Sequence, residues 1–226
     1  MEKNKVIAAH QPNFMPYLGL FYKIDKCGKF IFVDDVMFSN QRGINHHRNR
    51  IKSSQGELQI RVPVIKEPNA LINQVLIDNS EPWKEKLQKQ LFLSYKKAAH
   101  YNEINNWLEG VLSKDYEKLA DFNIDTIIDI SNRMGIRCSY DISSKHHIAG
   151  QKEELVLNLT EYFGGDVYYS GTGAASYLRE ESFSKRGMAL VFSDFQAFEY
   201  RQLWGPFMPN LSILDYLFNC GFTNPF

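Results

Sequence analysis

Residues 5–35, KVIAAHQPNFMPYLGLFYKIDKCGKFIFVDD, decide the fold that we expect. Short apolar runs at 5–9 and 30–33 predict two buried strands. Between them, apolar side chains recur at helical spacing over 17–24, and Gly28 ends the helix. Polar residues follow both strands, at the position where parallel α/β sheets bind their ligands. The stretch therefore predicts a strand–helix–strand unit with a binding site at the carboxyl ends of its strands.

A second unit of the same kind is predicted later in the chain. Residues 167–169 and 188–192 predict strands, and 174–183 predicts the helix between them. Residues 39–56 are polar and basic and predict a loop. Residues 57–64 alternate apolar and polar side chains and contain a proline, which indicates a half-exposed strand at a sheet edge.

The middle of the chain has helical periodicity. The remaining predicted elements are helices at 82–97, 101–112, 116–134, after Gly150 and at 211–219, and a short strand within 136–142. No internal repeat is present. We therefore expect one α/β domain over 1–226, with a Rossmann-like, mostly parallel sheet flanked by helices and a helical insertion at about 80–135.

Composition narrows the class of protein. Hydrophobic residues make up 44% of the 226 residues and charged residues 23%, which excludes a disordered chain. No stretch has the ~18 apolar residues of a membrane-spanning helix, and the short first apolar run predicts no signal peptide. Basic and acidic residues balance at 26 each, which favours neither nucleic acid nor an anionic membrane as a partner. Three cysteines without a C-x-x-C pair indicate a reduced, cytoplasmic protein.

The loop His10-Gln11-Pro12-Asn13 gathers polar groups at the end of the first predicted strand. It offers one imidazole and two amides on a backbone that proline stiffens. His10 suits an acid/base or a donor to a phosphate oxygen, with Gln11 and Asn13 as ligand contacts. The alternative is a histidine that hydrogen-bonds its own loop and only shapes it.

Asp34 and Asp35 end the second predicted strand of the same unit. A carboxylate at this edge suits Mg²⁺ on a nucleotide or the hydroxyl groups of a sugar. Because neighbouring strand residues point to opposite faces, only one of the two faces the site. The alternative is that one of them caps the segment that follows.

A dense cationic run lies in the predicted loop and comprises Arg42, His46, His47, Arg48, Arg50 and Lys52. Arg48 and Lys52, with Asn49 between them, suit phosphate or carboxylate, because clustered guanidinium groups bind such anions in pairs of hydrogen bonds. Nucleic acid and a solvated basic face are the alternatives. The histidine pairs at 46–47 and 146–147 lack the spacing of metal ligands, so we expect no metal.

The sequence Gly171-Thr172-Gly173-Ala174-Ala175-Ser176 has the context of a phosphate-binding loop. It follows a predicted strand and opens a predicted helix, as in dinucleotide-binding motifs. Ser176 stands in place of the third glycine, and too little chain follows for a full dinucleotide fold. We therefore expect an anion cradle formed by Tyr169, Ser170, Gly171 and the start of the helix, and no complete NAD site.

Taken in chain order, several blocks of the sequence resemble the WbqC-like family of bacterial proteins. The matching blocks are 9–19 (AHQPNFMPYLG), 23–24, 32–38 (FVDDVMF), 48–52 (RNRIK), 62–64, Trp83, 169–171, 177–178, 200–202 (YRQ), Phe207 and 211–215 (LSILD). The family occurs in bacterial surface-polysaccharide clusters, notably those for O-antigen. The resemblance implies a cytoplasmic protein that handles an amino-sugar nucleotide, and the matched tail adds Gln202 to the expected substrate contacts.

The hypothesis that follows is a transferase that moves an acyl or aminoacyl group onto an amino-sugar nucleotide. His10, Asp34 and Asp35 are its expected catalytic residues. This reaction implies one co-substrate, an activated acyl or aminoacyl donor. The donor group would be supplied by a carrier protein or by an aminoacylated nucleic acid. A hydrolase or amide-forming enzyme that uses Cys138 or Cys220 with a histidine is one alternative. The other is a binding module that delivers a sugar nucleotide or a carrier protein.

Overall fold

A parallel β-sheet forms the centre of the structure, a computed structural model that describes residues 3–41 and 43–226 apart from the side chain of residue 4. The strands are β1 (Val6–His10), β2 (Lys29–Phe32), β3 (Arg48–Ser53), β4 (Gly56–Arg61), β5 (Val64–Ile65), β6 (Leu76–Ile77), β7 (Ser139–Ile142), β8 (Val167–Ser170) and β9 (Ala189–Phe192). Five of them pair in the order β7-β2-β1-β8-β9, with every neighbouring pair parallel. The expected Rossmann-like sheet is confirmed.

The strand order changes direction at β1. From β1 the chain adds β2 and β7 on one side, and it then returns to add β8 and β9 on the other. The carboxyl ends of β1 and β8 therefore flank a topological switch point, which is where open α/β sheets leave a crevice for a ligand. His10 ends β1 and Ser170 ends β8, so the two predicted polar loops begin on either side of this crevice.

Helices cover both faces of the sheet. They are α1 (Leu18–Asp25), α2 (Trp83–Tyr95), α3 (Tyr101–Leu112), α4 (Leu119–Arg133), α5 (Glu153–Tyr162), α6 (Glu180–Ser184) and α7 (Ile213–Cys220). Because side chains alternate along a strand, Val6 and Ala8 enter a core shared with α1, α2, α3, α4 and α7. Ile7 and Ala9 enter a second core, which α5 and α6 cover.

The segment between β2 and β7 holds the predicted helical region and a hairpin that the sequence did not predict. Helices α2, α3 and α4 lie within the predicted bounds 82–97, 101–112 and 116–134. The prediction of a loop over 39–56 is wrong in part, since β3 pairs antiparallel with β4 in register from Arg48–Arg61 to Ser53–Gly56. Asn49 and Ile51 are buried on this strand. Burial alternates over residues 48–51, a strand pattern that the cationic composition of this segment made difficult to recognise.

The prediction of a helix over 174–183 is also wrong in part, since only its last residues are helical. Residues Thr172–Ala174 form a single 3₁₀ turn, and α6 begins only at Glu180. Arg179, just before α6, has extended backbone, and its N–H donates to a Glu153 carboxylate oxygen at 2.7 Å. That contact with the start of α5 fixes a later helix start than the local sequence indicates. The last helix is confirmed, with Ser212 as its N-cap, since the Ser212 hydroxyl accepts from the Leu214 N–H at 3.3 Å.

Candidate functional site

A cavity of about 730 Å³ opens at the switch point between β1 and β8. Its wall includes the last residues of β1, the start of α1, apolar residues of α5 and most of the segment 171–177 after β8. The lining is apolar for the most part, with a small number of polar side chains. That composition and size are typical of small-molecule sites.

His10 lines this cavity as a neutral base. Its Nδ1 lies 2.9 Å from the carbonyl oxygen of Gln11, which only accepts hydrogen bonds, so Nδ1 carries the proton and donates. Nε2 then keeps its lone pair. Burial, followed by the nearby charge of Lys23, lowers the pKa of His10 from 6.5 to about 4. At neutral pH the imidazole is therefore unprotonated at Nε2.

The side chain of Gln11 also lines the cavity and is oriented from behind by His46. The N–H of Ser39 donates to His46 Nδ1 at 3.2 Å, so the other ring nitrogen of this neutral histidine carries its proton. His46 Nε2 then donates to Gln11 Oε1 at 2.9 Å. Because the amide oxygen is held in this way, the Gln11 NH₂ group remains as a donor for a ligand in the cavity.

The loop after His10 is anchored from below by buried amides. Asn49 Nδ2 donates to the carbonyl oxygens of Phe14 and Met15, at 3.2 and 2.7 Å. Met15 has a positive φ of 41°, which a non-glycine residue adopts at a cost. Asn123 Nδ2 donates to the carbonyl oxygen of Pro12 at 3.0 Å. These bonds hold a strained loop in place, so the predicted substrate contact Asn49 lies beneath the loop as a support.

Lys23 is the cavity residue that the sequence analysis missed. It lies on α1 with 5% of its surface exposed, and its Nζ donates to the carbonyl oxygen of Ala9 at 2.8 Å. Burial lowers the pKa of Lys23 from 10.5 to about 8. One feature of the sequence could have indicated Lys23. It stands three residues after Leu20, inside the buried stripe of α1, where a lysine is unusual.

The mouth of the cavity carries aromatic rings and open glycines. Tyr17 and Tyr177 are 40% and 43% exposed, and the ring of Phe195 packs edge-on against Tyr17 at 6.1 Å. A Cβ added to Gly171 or Gly173 would meet no atom within 4 Å. The protein itself does not fill the space beside these two glycines, so a ligand has room to approach the backbone there.

Asp34 and Asp35 lie next to the turn that follows β7 and are not part of the cavity wall. Asp34 is buried and accepts from the N–H and the hydroxyl of Ser144, at 3.1 and 2.8 Å. Asp35 accepts from the Ser143 hydroxyl. Both carboxylates thus bind a turn about 110 residues away, and not the segment that directly follows them in the chain. Their catalytic role remains a prediction.

The predicted phosphate-binding residues Arg48 and Lys52 lie away from the cavity wall. The guanidinium group of Arg48 donates to the carbonyl oxygens of Asn40 and Gln41. Lys52 is 2% exposed, and its Nζ donates to Gln202 Oε1 at 3.1 Å and to two backbone carbonyl oxygens of the segment 205–206. Arg42, the first residue of the cationic run, lies outside the described residues.

Gln202 joins Lys52 to a buried carboxylate. Its Nε2 donates to Asp215 Oδ2 at 2.8 Å, and Asp215 also accepts from the hydroxyls of Tyr95 and Tyr200, both at 2.7 Å. Burial raises the pKa of Asp215. The network ties α7, α2 and the 200–206 segment to the β3–β4 hairpin. In this structure Lys52 and Gln202 therefore serve as internal ties.

The remaining predicted contacts lie near the switch point with different exposure. Gly171 lines the cavity, whereas Ser170 and Tyr169 are buried in β8, where Tyr169 packs into the core under the sheet. Asn13 is half-buried in the loop after β1. The structure thus brings His10, Gln11 and Gly171 together in the cavity and places the other predicted residues in its supports or elsewhere.

Two further observations concern the described residues as a set. Within 3–41 and 43–226, no three His, Cys, Asp or Glu side chains cluster closely enough to hold a metal ion. In the same part of the chain, no helix is long and apolar enough to cross a membrane.

The doubly wound order places the protein among Rossmann-like α/β proteins, with its cavity at the topological switch point. Within that class, the chain belongs to the WbqC-like protein family, whose model matches residues 11–225. It is 34% identical over 225 residues to the uncharacterized protein Rv1507c of Mycobacterium tuberculosis (strain ATCC 25618 / H37Rv), a match that covers 98% of this chain and 96% of that protein. No solved structure matches the chain. The family expected from the sequence blocks is confirmed.

Proposed function

We propose that the protein is a transferase that moves an acyl or aminoacyl group onto the amino group of a sugar nucleotide during the synthesis of bacterial surface polysaccharide, such as O-antigen. One observation carries the proposal. A neutral histidine, His10, has an unprotonated Nε2 at the wall of a cavity at the switch point, next to the amide donor of Gln11. A base beside a hydrogen-bond donor is what attack of an amine on a carbonyl needs.

In the proposed reaction the sugar amine attacks the carbonyl carbon of the activated donor. A carbon–nitrogen bond forms, and His10 Nε2 accepts the proton that the amine loses. The Gln11 NH₂ group donates to the oxygen that becomes negatively charged in the tetrahedral intermediate. When the bond to the leaving group breaks, the protonated His10 returns that proton to the leaving group, so the enzyme ends the cycle unchanged.

The cavity suits a nucleotide-linked sugar as acceptor. Its volume of about 730 Å³ lies in the range of small-molecule sites. Aromatic rings such as Tyr17 and Tyr177, half-exposed at the mouth, suit stacking against a base or a sugar ring. Gly171 and Gly173 leave backbone within reach of a ligand. This substrate class is the one that the resemblance to proteins of surface-polysaccharide clusters implies.

Thiol chemistry has less support from the site. Among the described residues that line the cavity there is no cysteine. The Cys27 thiol donates to the Ile24 carbonyl oxygen at 3.4 Å and lies 3.6 Å from the sulfur of Cys138. Cys220 lies at the end of α7 and, like Cys138, is not among the described residues of the wall that includes His10. We therefore assign the proton transfer to His10. In the proposed reaction no thiol takes part.

The proposal is tested by turnover with purified protein. UDP-glucosamine serves as acceptor, and acyl-coenzyme A, acyl-carrier thioesters and aminoacyl donors are offered in turn, with the product followed by mass spectrometry. We expect His10→Asn to lower the rate roughly 100-fold or more, because positioned general bases contribute about that much. The matched control is His147→Asn, since that histidine is exposed and lies outside the cavity wall.

Two outcomes would contradict the proposal. Equal rates for the wild type and His10→Asn would remove His10 from the reaction. Tight binding of UDP-glucosamine, without product from any donor, would favour a binding module that delivers the nucleotide to another protein.

A further inference from the structure

Lys23 is a buried cation without an acidic partner. It is 5% exposed, and no salt bridge of the described residues includes it. Its nearest aromatic ring is that of Tyr168, whose centroid lies 5.8 Å from Nζ. Burying an ammonium group is costly unless a negative charge or several hydrogen bonds compensate for it.

The ammonium group also has donors to spare. Nζ can donate three hydrogen bonds, and among the described residues its acceptor is the Ala9 carbonyl oxygen. Ala9 immediately precedes His10, and both residues line the cavity together with Lys23. The unused donors therefore lie at the wall of the cavity, on an ammonium group that binds the residue immediately before His10, the proposed base.

A purely structural role accounts poorly for this arrangement. A lysine that only tied α1 to the Ala9 carbonyl oxygen would bury a full charge to form one hydrogen bond. An apolar residue at position 23 would continue the buried stripe of Leu20 and Ile24 at lower cost. The unpaired cation indicates that the missing negative charge arrives with the ligand.

We infer that Lys23 is an anion-binding residue that holds a phosphate group of the ligand in the switch-point cavity. The inference deepens the proposed function, on whose cavity it rests, by naming the part of the ligand that this residue recognises. The phosphate has two possible sources in the proposed reaction, the diphosphate of the sugar nucleotide and the phosphates of a coenzyme A or phosphopantetheine donor. Open backbone at Gly171 and Gly173, on the same cavity, leaves room for either.

The test is binding by calorimetry, without turnover, to UDP and to coenzyme A. Lys23→Met removes the charge and keeps the length of the side chain. The matched control is Lys26→Met, because Lys26 caps the same helix but is exposed and pairs with Asp25 at 3.7 Å. The melting temperature of each unliganded variant is measured in parallel.

We expect Lys23→Met to weaken the binding of UDP roughly 30-fold or more, as loss of one partner of a buried charge pair does. The unliganded variant should melt at the same temperature as the wild type or higher, because an uncompensated buried charge has been replaced by an apolar group. Lys26→Met should leave UDP binding unchanged. If coenzyme A binding falls instead of UDP binding, the phosphate belongs to the donor and the inference still holds.

Three results would overturn the inference. The first is a wild type that binds neither compound. The second is a Lys23→Met variant that binds both as tightly as the wild type. The third is a lower melting temperature of the unliganded Lys23→Met variant than of the wild type, which would identify Lys23 as a structural tie. None of these results depends on acyl transfer, so the inference and the proposed reaction fail separately.

Discussion

His46 should make the protein less stable as the pH falls from about 7 to about 5. Its ring is fully buried, and both nitrogens are engaged, Nδ1 as acceptor from Ser39 and Nε2 as donor to Gln11. Burial, then repulsion by His10 when both rings are protonated, lowers the pKa of His46 from 6.5 to about 4. The unfolded chain therefore takes up a proton at higher pH than the folded chain does. Stability is lost as the pH falls below 6.5, and the loss levels off below about 4.

The size of the effect follows from these two pKa values. With 6.5 for the unfolded and about 4 for the folded state, His46 alone lowers the free energy of unfolding by about 2 kcal/mol between about pH 7 and about pH 5. The assay is urea unfolding followed by circular dichroism at both pH values, for the wild type, His46→Asn and the exposed control His147→Asn. His46→Asn should lose about 2 kcal/mol less than the wild type over the interval, and the control should lose as much as the wild type. An equal loss in His46→Asn and the wild type would refute the reasoning.

Three further predictions concern other parts of the structure. Gly173→Ala should weaken ligand binding and leave the melting temperature unchanged, because the added Cβ meets no protein atom. The control Gly110→Ala on α3 should leave ligand binding unchanged, and equal affinities in both variants would contradict a ligand at the 171–173 segment. Asp215→Asn should lower the free energy of unfolding by about 3 kcal/mol in urea titrations, because the two donors to Oδ2, Tyr200 and Gln202, would meet an NH₂ group in place of a buried acceptor. A loss below about 1 kcal/mol would rule out a structural role for the network. Iodoacetamide should label Cys138 before Cys27 in the folded protein, because a hydrogen bond from Cys27 lowers the pKa of Cys138 while burial raises the pKa of Cys27. Peptide mapping that finds Cys27 labelled first would contradict this prediction.

Local patterns were sufficient for the first strand–helix–strand unit and for the two strands of the second. The run at 6–9 and the run at 30–33 are apolar without interruption, as strands covered on both faces are. Once they are placed in a doubly wound sheet, His10 and Gly171 must meet, because they follow adjacent strands whose carboxyl ends flank the switch point. This part of the site could be predicted from the order of elements alone.

The role of the cationic run could not be predicted in the same way. Lys52 is 2% exposed because the chain returns 150 residues later with Gln202 and two backbone carbonyl oxygens to receive its amino group. A composition of arginines and lysines indicates an exposed surface unless that distant partner is known. The start of the helix predicted over 174–183 also depends on a distant partner. The contact of Arg179 with Glu153 is tertiary, so the local sequence does not indicate it.

For Lys23 the local sequence did contain a signal, in contrast to the cationic run. Its sequence context, a lysine inside the apolar stripe of a helix, already conflicted with a simple amphipathic pattern. Such local conflicts are frequent at functional sites, where a residue is kept for its chemistry rather than for folding. The cavity gives the conflict a physical reason that the pattern alone did not supply.

Hydrogen-exchange mass spectrometry with and without UDP-glucosamine tests most directly whether the switch-point cavity is the binding site. We predict slower exchange at amides near His10 and Gln11, at the start of α1 and over 171–178, since these segments line the cavity. The β3–β4 hairpin, which carries Arg48 and Lys52, should exchange as it does without the ligand. Protection confined to that hairpin, with no change around His10 or Gly171, would contradict the account.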